Sequence, residues 1–356
     1  MQNDLAPLRI LFATVASQAV GFGHLSRCLA LAAHAQKRHA NIDFLVFGCH
    51  AAEERIKAMG IASILLDVSA MNAGDWPQTA HLQADAVIAD LLFPAFDRVC
   101  RDVEGLFGRL RDLGRHLTAI DVLGEASLVR RYPEIPADVM VSPYVSLPVE
   151  TSGCRWRFLE GARYAMLSPD YTGLAARTQR SIASRVLVSC GGSDPKGYTA
   201  EVLTGLENLK QRLEIKVVIG PMFDAALRQK IQVLGNGSRH AVSLVDAPSS
   251  LRSEMLWCDL AIGANGLTKY ELAATATPAL LFSIDAHHDE VNRPFAAKKT
   301  AVHLGIGILA EAVCREAERL LDDFALRSEL AERGSALVDG LGAQRLFDEI
   351  KKELSC

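Results

Sequence analysis

Residues 9–24 read RILFATVASQAVGFGH, and residues 185–195 read RVLVSCGGSDP. Each begins as a short apolar run and stops at a glycine turn. Residues at helical spacing follow, from Leu25 to Arg38 after the first turn and from Thr199 after the second. A strand buried on both faces of a parallel sheet reads as such an unbroken apolar run. Glycine lets the backbone turn sharply where the strand ends. The same strand–turn–helix opening occurs twice, about half a chain apart, so the fold class is α/β with two Rossmann-like halves.

Working outward, further short runs alternate with helical patterns. Ile42–Phe47, Ala62–Leu66, Ala86–Ala89 ending in Asp90, His116–Asp121 and Asp138–Ser142 read as strands of the first half. Glu214–Ile219, Ala241–Val245, Leu260–Ile262 and Ala279–Ile284 read as strands of the second. Alternation of this kind implies parallel sheets covered on both faces. Residues 150–179 are less regular and hold the expected crossing. The expected division is residues 1–175 and 176–335. A helical pattern from Glu311 to Glu353 breaks at Asp339-Gly340, and residues 336–356 are expected to pack back on the first domain.

Composition narrows the function. In 356 residues, 49% are hydrophobic and 22% charged, the balance of an ordinary globular chain rather than a disordered or fibrous one. A net charge of -4 offers no basic footprint for nucleic acid. Apolar stretches such as Cys28–Ala33 and Pro278–Phe282 fall far short of the ~20 residues of a membrane span. Asp4 and Arg9 interrupt the N-terminal run, which reads as a first strand rather than a signal peptide. The eight cysteines are scattered with no CxxC pair, as for thiols in a reducing cytoplasm, and no structural zinc is expected.

Four clusters could carry chemistry. Gly21-Phe22-Gly23-His24 places a histidine at a helix entry, where the helix dipole should lower its pKa and keep it a neutral base. Gly191-Gly192-Ser193-Asp194-Pro195 follows a strand, and a nest of backbone N–H groups there suits a phosphate. The bland reading is a βα loop with Asp194 as N-cap and Pro195 at the first helical position. Residues 263–271, GANGLTKYE, offer a second small-residue turn, with Thr268 as a hydroxyl donor and Glu271 placed to accept from a ribose diol, although taken alone Glu271 reads as a solvated helical carboxylate. The loop from Asp285 to Asn292, DAHHDEVN, invites a metal reading, but adjacent histidines rarely share an ion and no HExxH spacing is present. A sugar-binding loop is preferred there.

Together, GFGHLSRCLALA, VLVSCGGSDPKGYTAEVL, AIGANGLTKYELAATATPALL and LVDGLGAQR resemble the UDP-sugar hydrolases of pseudaminic acid biosynthesis. Those enzymes cleave UDP-2,4-diacetamido-2,4,6-trideoxy-β-L-altropyranose. The same motifs resemble the spore-coat polysaccharide proteins and, more distantly, the N-acetylglucosaminyltransferase that makes lipid II. The resemblance spans nearly the whole chain and implies the GT-B fold, two Rossmann-like domains with a nucleotide sugar in an interdomain cleft. It implies His24 as general base, with Gly21 and Gly23 beside it. It places Gly191, Gly192, Ser193, Gly266, Leu267 and Thr268 at the diphosphate, Glu271 at the ribose, and Leu244 and Val245 at the uracil. Tyr164, His288, Asp289 and Asn292 fall on the sugar side.

This chain departs from the hydrolase pattern at Ala13 and Val15, at Val122 after Asp121, at Ser168, and at His288-Asp289 in place of an Asn-Gln pair. The first expectation is hydrolysis of a UDP-linked acetamido sugar without a metal or cofactor. The alternatives are a glycosyltransferase on the same scaffold and a nucleotide-sugar-binding protein without turnover. A transferase would dock peripherally on a membrane, and neither Leu91–Phe96 nor Arg109–Arg115 makes a convincing patch for that.

Overall fold

The computed structural model describes residues 7–17, 20–92, 96–121, 127, 131–145, 153–248, 250–264 and 266–355. Val122, residue 265 and residues 93–95 of the 91–96 stretch therefore lie outside the described residues. The chain forms two compact units. Unit 1 comprises residues 1–169 and 341–356, and unit 2 comprises 170–340. The chain crosses at 169/170 and again at 340/341, a few residues beside the expected 175 and 335.

Unit 1 is a seven-stranded, all-parallel sheet ordered β3-β2-β1-β4-β5-β6-β7. Its strands are β1 Arg9–Ala16, β2 Asn41–Gly48, β3 Ala62–Leu66, β4 Ala84–Asp90, β5 Gly114–Ile120, β6 Val139–Ser142 and β7 Arg157–Glu160. Alternate side chains of β1 serve opposite faces. Leu11, Ala13 and Val15 enter one core, and Ile10, Phe12 and Ala16 the other. The second core also takes Leu25, Cys28 and Leu31 of helix Gly23–Gln36, and Leu346, Phe347 and Ile350 of helix Gly342–Ser355. Arg157 on β7 clasps that last helix through Glu349 and Glu353, each at 2.7 Å.

Unit 2 is a six-stranded parallel sheet ordered β10-β9-β8-β11-β12-β13. Its strands are β8 Arg185–Ser189, β9 Glu214–Ile219, β10 Ala241–Asp246, β11 Leu260–Ala264, β12 Ala279–Ser283 and β13 Val302–Ile306. In each unit the strand order reverses beside the opening strand, between β1 and β4 and between β8 and β11. Open α/β sheets bind ligands beyond the carboxyl ends of the strands at that switch point.

Two strands escaped the sequence reading, and both lie at a sheet edge. β7, RFLE, is half polar, and β13, VHLGI, is interrupted by His303 and Gly305. The C-terminal helical pattern breaks at Asp323 as well as at 339–340, because Asp323 caps helix Phe324–Leu337 by accepting from Leu326 N.

Candidate active site

The carboxyl edge of the unit 1 sheet carries a buried polar cluster. Asp90 ends β4, in register with Thr14 of β1, and is wholly buried. His24 and Arg27, one turn apart in helix Gly23–Gln36, both reach it. His24 Nδ1 lies 2.6 Å from Asp90 Oδ1. Arg27 grips both carboxylate oxygens, Nε to Oδ2 at 2.7 Å and Nη2 to Oδ1 at 2.9 Å. Arg27 Nη2 is also 2.9 Å from His24 Nδ1. Both nitrogens cannot donate to one another, so chemistry decides the protons. Arg27 and His24 hold the Asp90 carboxyl below its usual range, which makes it an acceptor only. His24 therefore donates from Nδ1 to Asp90, and the tautomer puts the basic lone pair on Nε2.

Burial lowers the His24 pKa first, Arg27 lowers it further, and Asp90 opposes both. The direction is the expected one, and desolvation and a neighbouring guanidinium contribute to it. Tyr144, beyond the end of β6, lies with its ring 5.8 Å from the Arg27 guanidinium. Asp90 and Arg27 are the candidate site residues that sequence reasoning did not assign. A carboxylate ending a strand beside the switch point, and a histidine and arginine at i, i+3, were the available signals.

In unit 2 the two glycine turns follow neighbouring strands. Gly191 and Gly266 take φ of +89° and +124°, left-handed backbone that favours glycine. Gly191, Gly192 and Gly266 are exposed, while Ser193, Leu267 and Thr268 are half-buried. Asp194 does not act as an ordinary N-cap, and Pro195 is not the first helical residue. The helix is Tyr198–Glu207 with Gly197 at its cap, and Asp194 reaches forward to accept from Tyr198 N and Thr199 N, each at 2.8 Å. That carboxylate occupies the helix terminus, so an anion is left with the amides of the 191–193 turn.

Helix Thr268–Ala274 shows Thr268 and Glu271 on one half-buried face, three residues apart. Burial pushes the Glu271 carboxyl up to about 7, with Tyr171 opposing the rise. The same helix buries Lys269, whose amine is pushed down to about 7. Lys269 Nζ donates to Asn292 Oδ1 at 3.0 Å and Val291 O at 3.2 Å. Val245 is half-buried in edge strand β10.

Of the residues expected on the sugar side, Tyr164 lies in unit 1 and His288, Asp289 and Asn292 lie in unit 2. Tyr164 is packed into the unit 1 core. Asn292 is buried, and its amide serves Lys269, Ser283 Oγ and Phe282 O. Asp289 is turned inward, paired with Arg293 and 3.5 Å from His303 Nε2. His288 Nδ1 lies 2.7 Å from Asp285 Oδ1, the cap of helix Ala286–Ala297. Among the described residues, no group of three His, Cys, Asp or Glu side chains is arranged to hold a metal ion. Nor is any helix among them long and apolar enough to cross a membrane.

No protein-family model matches the chain. The spore coat polysaccharide biosynthesis protein SpsG of Bacillus subtilis is 28% identical over 195 residues, 53% of this chain and 57% of that protein. The match thus spans less than two thirds of that relative's length. Among solved structures, MnaA of S. aureus, determined with UDP, superposes with a TM-score of 0.65 at 13% identity, over 98% of this chain and 97% of that one. The calicheamicin glycosyltransferase CalG4 gives 0.63 at 16% identity, over 99% of each. The fold is GT-B. At these identities the structural likeness carries the architecture alone, two Rossmann-like units with parallel sheets of seven and six strands.

Proposed function

We propose that the protein is a UDP-sugar-using enzyme of glycan biosynthesis, with the nucleotide held by unit 2 and a general base, His24, in unit 1. The observation that carries this reading is the buried His24–Asp90 contact of 2.6 Å at the switch point of the unit 1 sheet. Asp90 fixes Nδ1–H, and Nε2 takes the proton of the hydroxyl that attacks the anomeric carbon. A base so placed contributes ~10²–10⁴-fold in rate. As the glycosidic bond breaks, UDP takes its electron pair. Backbone amides of the 191–193 and 266–268 turns stabilise the departing diphosphate without reorganising, the usual advantage of preorganised donors. Glu271 accepts from the ribose diol.

Glycosyl transfer to an acceptor hydroxyl is the first reading, in line with the transferase and UDP-bound structures that share the fold. Hydrolysis, with water in place of the acceptor, is the second. The ordered set of four motifs shared with the UDP-sugar hydrolases favours it. Incubation with a panel of UDP- and CMP-sugars, with and without candidate acceptors, separates the two. Nucleotide released only with an acceptor supports transfer, and release without one supports hydrolysis. Binding without release removes the catalytic reading altogether. His24→Ala should abolish most single-turnover activity and leave UDP affinity near wild type. If His288→Ala abolishes turnover and His24→Ala spares it, the base lies at the start of helix Ala286–Ala297 instead.

A further inference from the structure

A buried ion pair is costly to desolvate, and an apolar pair of similar volume often serves stability as well. Arg27 and Asp90 form such a pair, 8% and 0% exposed. An apolar pair would hold the first helix to β4, but it would not orient the imidazole that shares Asp90. We propose that Arg27 is a positioning residue for His24. Its guanidinium fork, Nε on Oδ2 and Nη2 on Oδ1, fixes the Asp90 carboxylate against Nδ1 and so fixes the tautomer that accepts protons at Nε2. This inference rests on the reading of His24 as general base and adds the residue that tunes it.

The charges around the ring give the second half of the argument. From its own helix His24 meets Arg27, and from β4 it meets Asp90; Cys28, one residue beyond Arg27, feels the charges of both Arg27 and Asp90. The Tyr144 ring lies 5.8 Å from the Arg27 guanidinium, and Asp121, just past the end of β5, acts on Tyr144. Burial raises Cys28 well above its ordinary value and Tyr144 to about 12, so both stay neutral at working pH. Arg27 and Asp90 both act on the ring as charges, in opposite directions. With Arg27 present, protonating His24 leaves the three groups with a surplus positive charge. Without Arg27, the same proton completes a neutral His–Asp pair. Arg27 therefore keeps the imidazole neutral, and able to accept a proton, to lower pH.

The test is an NMR titration of the His24 ring nitrogens in the full chain, assigned with His24→Ala, alongside the pH profile of kcat/KM. In the wild type the ring should carry its proton on Nδ1 and titrate below the ordinary value of about 6.5. Arg27→Gln should raise the His24 pKa by about one unit or more, the scale of one full charge nearby. The acid limb of kcat/KM should move up by the same amount, because that limb reports the base of the free enzyme. Arg27→Lys keeps the charge and loses the fork, so the pKa should stay low while the tautomers mix. An unchanged titration and tautomer in folded Arg27→Gln overturns the positioning role, whatever happens to turnover. Should Arg27→Gln fail to fold, Arg27→Lys carries the test, and complete Nδ1 protonation in that variant overturns the fork. Turnover surviving His24→Ala would instead remove the base reading, and the ring titration would still judge Arg27.

Discussion

Burial pushes the unliganded Glu271 carboxyl up to about 7, yet ribose hydroxyls donate only to acceptor oxygens and favour its ionised form. Binding should therefore draw off the proton. The sign follows: affinity for a UDP-sugar rises as pH rises through about 7, and below that it falls by up to roughly tenfold per pH unit. A UDP-sugar is the ligand to use, because its diphosphate has no ionisation in this range. Titration calorimetry at pH 6 and pH 8 reads the difference, and equal affinities would reject the ribose assignment. Glu271→Gln should flatten the pH dependence. Glu271→Ala should weaken binding by at least roughly tenfold, since a hydrogen bond to a charged group contributes ~1.5–3 kcal/mol. The carboxylate's position in the chain was legible, three residues after Thr268. Its raised pKa was not, because burial is a property of the packed unit.

At the scale of elements, the 191–193 turn, proposed to hold the diphosphate, is braced from a strand away. Gly220 follows β9, and a Cβ there would lie 2.3 Å from Gly192 O and 2.6 Å from Gly191 O. Met222 N donates to the same Gly192 carbonyl at 2.9 Å. The 220–222 turn thus sets where the 191–193 amides point, and only a glycine allows that approach. Gly220→Ala must displace one turn or the other. We expect UDP affinity to drop by roughly tenfold or more, about 1.4 kcal/mol, with the far-UV circular dichroism retained. Near-native affinity in this variant would show that the turn tolerates displacement and that its amides do not bind the diphosphate. The Gly220-Pro221 pair was readable as a strand stop. Its support of a turn some 28 positions earlier required the β8–β9 pairing to be known.

For the molecule as a whole, the chain completes unit 1 only after building unit 2. Helix Gly342–Ser355 returns to bury Leu346, Phe347 and Ile350 against the face that also holds Leu25 and Leu31. The Arg38 guanidinium lies 5.3 Å from the Phe347 ring centre. Large-to-small changes at such sites remove both transfer energy and packing, about 3–5 kcal/mol for Phe→Ala. Phe347→Ala should destabilise unit 1 by that amount and leave unit 2 nearly unchanged. Hydrogen exchange in denaturant can follow amides of β1 and β8 separately. Equal loss of protection in both, or none in β1, would contradict this partition.

The alternation of apolar runs, glycine turns and helical patterns was enough to determine two parallel α/β halves. That information is local, because a strand buried on both faces must be apolar throughout and a turn must find its glycine. The glycine turns at 191–192 and 266 were legible for the same reason, each sitting directly after a core strand. Edge strands β7 and β13 were not, since a strand with one neighbour tolerates polar and glycine interruptions. The sheet order decided the rest. It brought Asp90, 66 positions from His24, to the imidazole Nδ1 and placed the Arg27 fork on both its oxygens. It also buried Asp289 and Asn292 in helix Ala286–Ala297, where the sequence reading had a sugar-binding loop. Such partners are chosen by strand adjacency and burial, which no spacing along the chain encodes.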